Sequence, residues 1–273
     1  MNTKFGVSQG RLTQSEELQR FPSEAWQAEF FTAQKLGINY IELLTEREFN
    51  ADNPVWSEAG RNEILDLCHK CKLELYSICV DYIINHSLLE DPTALDNVRR
   101  IFTVAGDLGC RVVILPLLEA SSLDQKNSEQ HAEVMKIIAS EAADYELMIC
   151  IETLMNARDL IKFLKYVNKD NVRAVFDTGN RVVAPDGKNL YDEIVHLGEF
   201  IEHVHIKDKN DLGENVILGT GLVDFRCVFS ALNKIDYQGP LNFETTRGRD
   251  PLSTMSFHIA LCKFFQSEVS EDT

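Results

Sequence analysis

Residues 147–152 read Leu-Met-Ile-Cys-Ile-Glu, an apolar run that ends on a residue able to bind a metal, and the pattern recurs three more times. Residues 173–177 give Arg-Ala-Val-Phe-Asp, residues 203–205 His-Val-His, and residues 240–244 Pro-Leu-Asn-Phe-Glu. Runs of this length are strand-like. A barrel of parallel strands opens all its strand ends at one mouth, so Glu152, Asp177, His205 and Glu244 can converge although far apart in sequence. Three carboxylates and one imidazole suit a hard divalent cation with open positions. Carboxylates beside such an ion can also move protons. The pattern points to an enzyme.

Working outward, short apolar runs alternate with longer amphipathic stretches along the whole chain. Candidate strands are Lys4–Ser8, Tyr40–Leu44, Glu74–Val80, Arg111–Leu115, Met148–Glu152, Arg173–Asp177, Glu202–Lys207 and Leu241–Glu244. Candidate helices are Ser23–Leu36, Ser57–Cys71, Pro92–Leu108, Ser128–Tyr145, Ala157–Asn168, Leu190–Phe200, Phe225–Lys234 and Pro251–Phe265. Asp91-Pro92 reads as a helix start, and Gly37, Gly109 and Gly198 as helix stops. Several strands are apolar throughout, as parallel strands covered on both faces are. Strand–helix units of this length predict a single (β/α)8 TIM barrel over residues 1–273, with a polar, frayed tail at 267–273. An open doubly wound sheet would need a phosphate-binding glycine loop after its first strand, and Phe5-Gly-Val-Ser-Gln-Gly-Arg-Leu12 does not spell one.

Composition narrows the function. The formal charge is −16, from 43 acidic and 27 basic residues, with no basic stripe to offset it. Such a surface repels phosphate backbones and argues against a nucleic-acid partner. No apolar run reaches the roughly 20 residues that span a bilayer, and the first residues lack a secretion signal. Seven scattered cysteines suit reduced thiols in the cytoplasm. A homo-oligomer is compatible with all of this.

On strand seven His203, His205 and Lys207 alternate and therefore share a side. His205 lies nearer the mouth and is the expected ligand, leaving His203 one layer deeper as a hydrogen-bonded support.

The stretches Ile-Glu152-Thr-Leu-Met-Asn, Val-Phe-Asp177-Thr-Gly-Asn, Glu-His-Val-His205-Ile-Lys-Asp, Leu-Gly219-Thr-Gly-Leu-Val-Asp-Phe and Asn-Phe-Glu244-Thr carry a likeness. Together they resemble the xylose-isomerase-like sugar isomerases and epimerases, closest to the ketose and ketose-phosphate 3-epimerase branch. Ser8-Gln-Gly-Arg-Leu12 and Gly37-Ile-Asn-Tyr-Ile-Glu-Leu-Leu44 fit the same pattern. The resemblance implies that Glu152, Asp177, His205 and Glu244 bind one divalent metal, Mn²⁺ or Mg²⁺ foremost, with Zn²⁺ or Co²⁺ also compatible. It further implies that Glu152 and Glu244 act as acid and base on a sugar or sugar phosphate, through an enediolate. The chain departs from the ketose 3-epimerases at Asn180, where they carry a histidine, and at Asp211, where they carry an arginine.

Around this centre Lys207, Asn180, Arg11, Arg247, Gln9 and His86 are candidates for contact with substrate. Gly219, Thr220 and Gly221 are candidates for binding a phosphate through backbone amides. Glu42, Asp81 and Glu119 sit at or just past strand ends, where capping or a solvated loop competes with substrate contact. Cys68 and Cys71 form a C-x-x-C inside a helix without the further ligands a zinc would need. Among rival functions, an inosose-type dehydratase shares the enolisation chemistry. An abasic-site nuclease would need histidines that the loop after strand seven lacks, and a non-catalytic sugar-binding barrel would leave the paired glutamates unexplained.

Overall fold

The computed structural model describes residues 3–15, 17–187 and 189–271. Eight parallel strands close on themselves in sequence order: β1 (Phe5–Ser8), β2 (Tyr40–Thr45), β3 (Glu74–Val80), β4 (Val112–Pro116), β5 (Met148–Glu152), β6 (Val172–Asp177), β7 (Ile201–Ile206) and β8 (Leu241–Phe243). The helices outside them are α1 (Trp26–Leu36), α2 (Glu58–Cys71), α3 (Tyr82–Asn85), α4 (Pro92–Leu108), α5 (Ser128–Ala143), α6 (Ala157–Val167), α7 (Thr178–Val182), α8 (Leu190–Leu197), α9 (Phe225–Lys234) and α10 (Pro251–Glu271). This is the (β/α)8 barrel expected from the alternation of strand and helix signals.

Alternate residues of each strand part into two cores. Val113 and Leu115 of β4 and Ile149 and Ile151 of β5 join the helices in one apolar cluster. Val112, Ile114, Cys150 and Val175, with Leu44 and Cys79, form a second, smaller cluster that contains no helix residue and so fills the barrel interior. The interior is otherwise polar, with Ser8, Glu42, Ser77, His203, His205 and Asn242 all buried there.

Two register shifts decide which side chains reach this interior. Between β6 and β7, Ala174 pairs with Ile201 but Val175 with His203, so one residue of β7 is skipped. That skip sets Asp177 beside His205; an unbroken register would set it beside Val204, which points the other way. A similar shift lies between β2 and β3, between Ile41 and Leu43. It admits Ser77 to the interior, where its hydroxyl meets Glu42.

Local signals account for most boundaries. Asp91 caps α4 by accepting from the Thr93 amide, and Gly37 and Gly109 end α1 and α4 in the left-handed conformation. Cys68 and Cys71 are buried on α2, and burial pushes the Cys68 thiol up to about 12. The tail expectation is corrected. Residues 267–271 continue α10, because Val269 is buried against the core and Glu268 pairs with Arg226 at 2.5 Å. Asp272 and Thr273 lie outside the described residues. Leu190–Phe200 is also not one helix: α8 stops at Leu197, and a 3₁₀ turn covers Gly198–Phe200.

His258 of α10 is fully buried and ties the loop after β7 to the barrel. Its Nε2 accepts from the Leu218 amide at 3.3 Å, and its Nδ1 lies 3.0 Å from the Thr245 hydroxyl. Burial pushes its pKa down to about 4, below the roughly 6.5 of an unfolded histidine. Between these values the unfolded chain binds the extra proton, so this contribution to stability is present above about pH 6.5 and lost as pH falls toward 4. The loss should approach 3 kcal/mol. Urea unfolding at about pH 7 and about pH 5 should show a smaller acid-induced loss in His258→Gln than in the wild type; equal losses would contradict the assignment.

Candidate active site

The strand ends deliver Glu152 from β5 and Asp177 from β6, His205 lies within β7, and Glu244 stands one residue past β8. One ligand atom from each lies within 4.8 Å of the others, and all four side chains are buried. The geometry brings together the four residues that the sequence singled out.

Each of the four has one polar atom held by a neighbour and another turned to the centre. Asp177 Oδ1 accepts from the Asn180 amide at 2.7 Å, capping α7. Glu152 Oε1 accepts from Asn180 Nδ2 at 2.6 Å, and Glu244 Oε1 from Arg11 at 3.1 Å. His205 turns Nε2 to Glu42, 3.1 Å from Oε1. The remaining atoms converge: His205 Nδ1 lies 3.0 Å from Glu244 Oε2, 3.6 Å from Glu152 Oε2 and 3.8 Å from Asp177 Oδ2. Lys207, just past β7, sets its ammonium 2.8 Å from Asp177 Oδ2 and 2.7 Å from Glu244 Oε2. Asp177 Oδ2, Glu244 Oε2 and His205 Nδ1 are buried and meet their neighbours through these ion-pair contacts, with no hydrogen bond to another group. Two buried acidic oxygens and an imidazole nitrogen held in this way, beside the Glu152 carboxylate deep in the mouth, fit a divalent cation.

Electrostatics separate the two glutamates. Burial, and after it Asp177, pushes Glu152 up to about 8. Burial acts the same way on Glu244, but Lys207, His205 and Arg11 outweigh it and hold that carboxyl well below the usual range. Lys207 is held charged in turn: burial opposes its charge, but Asp177, Glu244 and Glu152 raise its pKa. Gly179 makes room for the lysine, since a Cβ there would stand 2.8 Å from Lys207 Cγ. Next to this group Asp81 is pushed up to about 6 by burial and then by Glu244.

The geometry gives the other candidate contacts the following protein partners. Asn180 and Arg11 hydrogen-bond the converging carboxylates, as above. Arg247 is turned to the chain, donating to the Gly10 carbonyl at 2.6 Å and the Leu18 carbonyl at 2.8 Å, so it holds the loop after β1. His86 stacks on Tyr82 and lies 2.9 Å from Asp91 and 3.4 Å from Glu48, in a half-exposed group beside α3. Gln9 accepts from the Leu44 amide at 3.3 Å, while its Nε2 is buried without a partner. Glu119 pairs with Arg47 on the surface. The Gly219–Gly221 amides are taken internally: Gly219 and Gly221 each donate to Asp208 Oδ2 at 2.9 Å, and Val223 donates to Asp208 Oδ1 at 3.0 Å. Thr220 is exposed and donates to the Ile217 carbonyl. The Asp208 carboxylate thus fills the seat proposed for a phosphate, and Gly221 is required there because a Cβ would meet Asp208 Oδ1 at 2.4 Å.

Sequence reasoning passed over Asp208 as an anchor and saw Glu42 only as a strand-end acid. For Glu42 a signal was available: a lone charge at an inward position of the apolar strand Tyr40–Thr45 needs a buried partner. For Asp208 no local signal marked the anchor, because apart from the adjacent Lys209 amide its partners are backbone amides 11 to 15 residues away.

Fold and mouth together define a barrel whose acid-rich, histidine-containing cluster could hold a metal ion. The profile of the family described as xylose isomerase-like TIM barrel matches residues 30–259, and the chain belongs to that family. It is 28% identical over 154 residues to the L-ribulose 3-epimerase of Methylomonas sp. (strain DH-1), spanning 53% of this chain and 52% of that enzyme. The chain thus spans about half the length of that relative. It is 24% identical over 241 residues to the L-ribulose-5-phosphate 3-epimerase UlaE of Escherichia coli (strain SMS-3-5 / SECEC), covering 81% of this chain and 82% of the other. A solved structure of an L-ribulose 3-epimerase superposes with a TM-score of 0.80 at 17% identity, covering 99% of this chain and 96% of that one, a likeness of fold. Among the described residues no helix is long and apolar enough to cross a membrane.

Two outcomes test this geometry. Asp177→Ala and His205→Ala should each lose bound divalent ion relative to wild type, measured by atomic spectroscopy after dialysis; unchanged content would contradict the ligand set. Asp208→Ala should lower the unfolding free energy by about 3 kcal/mol, since it leaves three loop amides unpaired. A loss below about 0.5 kcal/mol, the level of an ordinary surface change, would show that the loop is held by other means.

Proposed function

We propose that this barrel is a divalent-metal-dependent isomerase that epimerises a ketose or ketose phosphate at the carbon beside its carbonyl, with Glu152 and Glu244 as the proton carriers. The observation that carries the reading is the convergence of Glu152, Asp177, His205 and Glu244 within 4.8 Å. The curated relatives, both 3-epimerases of ribulose or its phosphate, support the substrate class.

Glu152, Asp177, His205 and Glu244 would hold the ion, which when bound supplies a Lewis acid to polarise the sugar carbonyl and offset enediolate charge. The chain's own residues do the rest. Glu152 and Glu244 come from strands separated by β6 and β7, so a sugar carbon lying between them presents one face to each. The environments that push their pKa values apart give them opposite tasks. Glu244, kept ionised by Lys207 and Arg11, takes the proton alpha to the carbonyl. Glu152, the carboxyl disposed to hold a proton, returns one to the opposite face, and the carbon inverts. A bound dication would lower both values. Lys207, charged and beside both acids, is placed to hold the oxygen on which negative charge develops. The roles reverse for the reverse reaction.

The seven unpaired cysteines are in keeping with a reducing compartment, and we place the enzyme in the cytoplasm.

Incubation of L-ribulose, other ketoses and their phosphates with the enzyme and Mn²⁺ in deuterated water should put solvent label on the carbon beside the carbonyl. Glu152→Gln and Glu244→Gln should each slow that exchange by about 100-fold or more while leaving the fold intact by circular dichroism. Full exchange in either variant would refute the two-base scheme.

A further inference from the structure

We propose that Glu42 is the positioning residue of the site: it fixes the ring of His205 so that Nδ1, and not Nε2, faces Glu152, Asp177 and Glu244. The inference rests on the reading of His205 as a metal ligand and goes beyond it by naming what orients that ligand.

Glu42 stands in the barrel interior on β2, far around the barrel wall from β7. Its carboxylate is enclosed by donors. Oε1 accepts from Ser8 Oγ at 3.0 Å and Asn242 Nδ2 at 2.9 Å; Oε2 accepts from Ser77 Oγ at 2.7 Å and lies 2.9 Å from His203 Nε2. His205 Nε2 sits across both oxygens, 3.1 Å from Oε1 and 3.4 Å from Oε2. An ionised carboxylate only accepts, so a nitrogen or hydroxyl this close must bring the hydrogen, which for His205 is shared between both oxygens.

The hydrogens are fixed from behind. Asn242 Nδ2 also donates to Ser8 Oγ at 2.8 Å, which turns the Ser8 hydrogen toward Glu42. His205 can therefore meet this carboxylate only with Nε2 protonated. Its Nδ1 then offers a lone pair, and that atom is the one aimed at the three ligand oxygens. A histidine whose far nitrogen donates to a carboxylate is held in one tautomer and one orientation, and is the stronger ligand for it.

Glu42, His203 and His205 also lie close enough together to suggest a second cation site. The same bonds argue against that: the Glu42 lone pairs are already taken up by hydrogens. His203 instead braces the carboxylate from below, flanked by the Tyr40 and Tyr76 rings.

The test is a Mn²⁺ titration of wild type and Glu42→Gln, read by the paramagnetic resonance signal of free Mn²⁺, alongside nitrogen NMR of the cadmium-113-loaded wild type. Glu42→Gln keeps the shape but puts an amide donor among donors. Its dissociation constant for Mn²⁺ should rise about 10- to 100-fold with circular dichroism unchanged. In the wild type cadmium should couple to His205 Nδ1, with Nε2 carrying hydrogen. A folded Glu42→Gln that binds Mn²⁺ within about twofold of wild type overturns the proposal, as does cadmium coupling to Nε2. If Glu42→Gln fails to fold, the wild-type NMR decides alone, because a merely structural glutamate would not set which nitrogen is metallated. A wild type that takes up no divalent ion would sink the metal reading itself, and this one with it.

Discussion

Like charges crowded at the barrel mouth are the constraint around which the rest is arranged. Two carboxylates about 4 Å apart repel by roughly 4 kcal/mol at an effective dielectric near 20, and here three share one small volume. The chain answers by pinning one oxygen of each: Asn180 holds Glu152 and Asp177, and Arg11 holds Glu244. Lys207 and His205 face the oxygens left over. The outcome is a set of converging atoms that could hold a divalent cation.

Much of the surrounding structure keeps those pins in place. Arg11 can reach Glu244 because the loop after β1 is tied down. Arg11 and Arg247 share the Leu18 carbonyl, and buried Glu29 accepts from the Gly10 and Leu12 amides and the Thr13 hydroxyl. Lys207 is fixed at its backbone, where Thr178 Oγ1 accepts from its amide and donates to its carbonyl. Asp208 gathers the amides of the following loop. Basic and acidic groups that look from the sequence like hands for a substrate also hold the protein's own loops and carboxylates.

The barrel was legible because each strand–helix unit carries local signals: an apolar run, a cap such as Asp91, a glycine stop such as Gly37. The ligand set was legible because Glu152, Asp177, His205 and Glu244 each close or extend such a run. The roles of Asn180, Arg11, Arg247 and His86 were not, since an isolated polar residue near a strand end fits a substrate contact as well as a structural one. Arg247 reaches back to Gly10 and Leu18, across more than 200 residues, and nothing in its own neighbourhood announces that.

Alternation and strand-end chemistry thus determined the fold class, the direction of the strands and the identity of the four convergent residues. What only the closed barrel decided is register and pairing. Skipping one residue between β6 and β7 sets Asp177 beside His205, and the matching shift at β2–β3 admits Ser77 to the interior. Closure brings Glu42 within reach of His203 and His205, and Asp208 under the Gly219 and Gly221 amides. A linear chain encodes which residue types lie on a face through the short-range geometry of its backbone. Which two faces touch, and at what offset, is settled by packing the whole sheet into a ring.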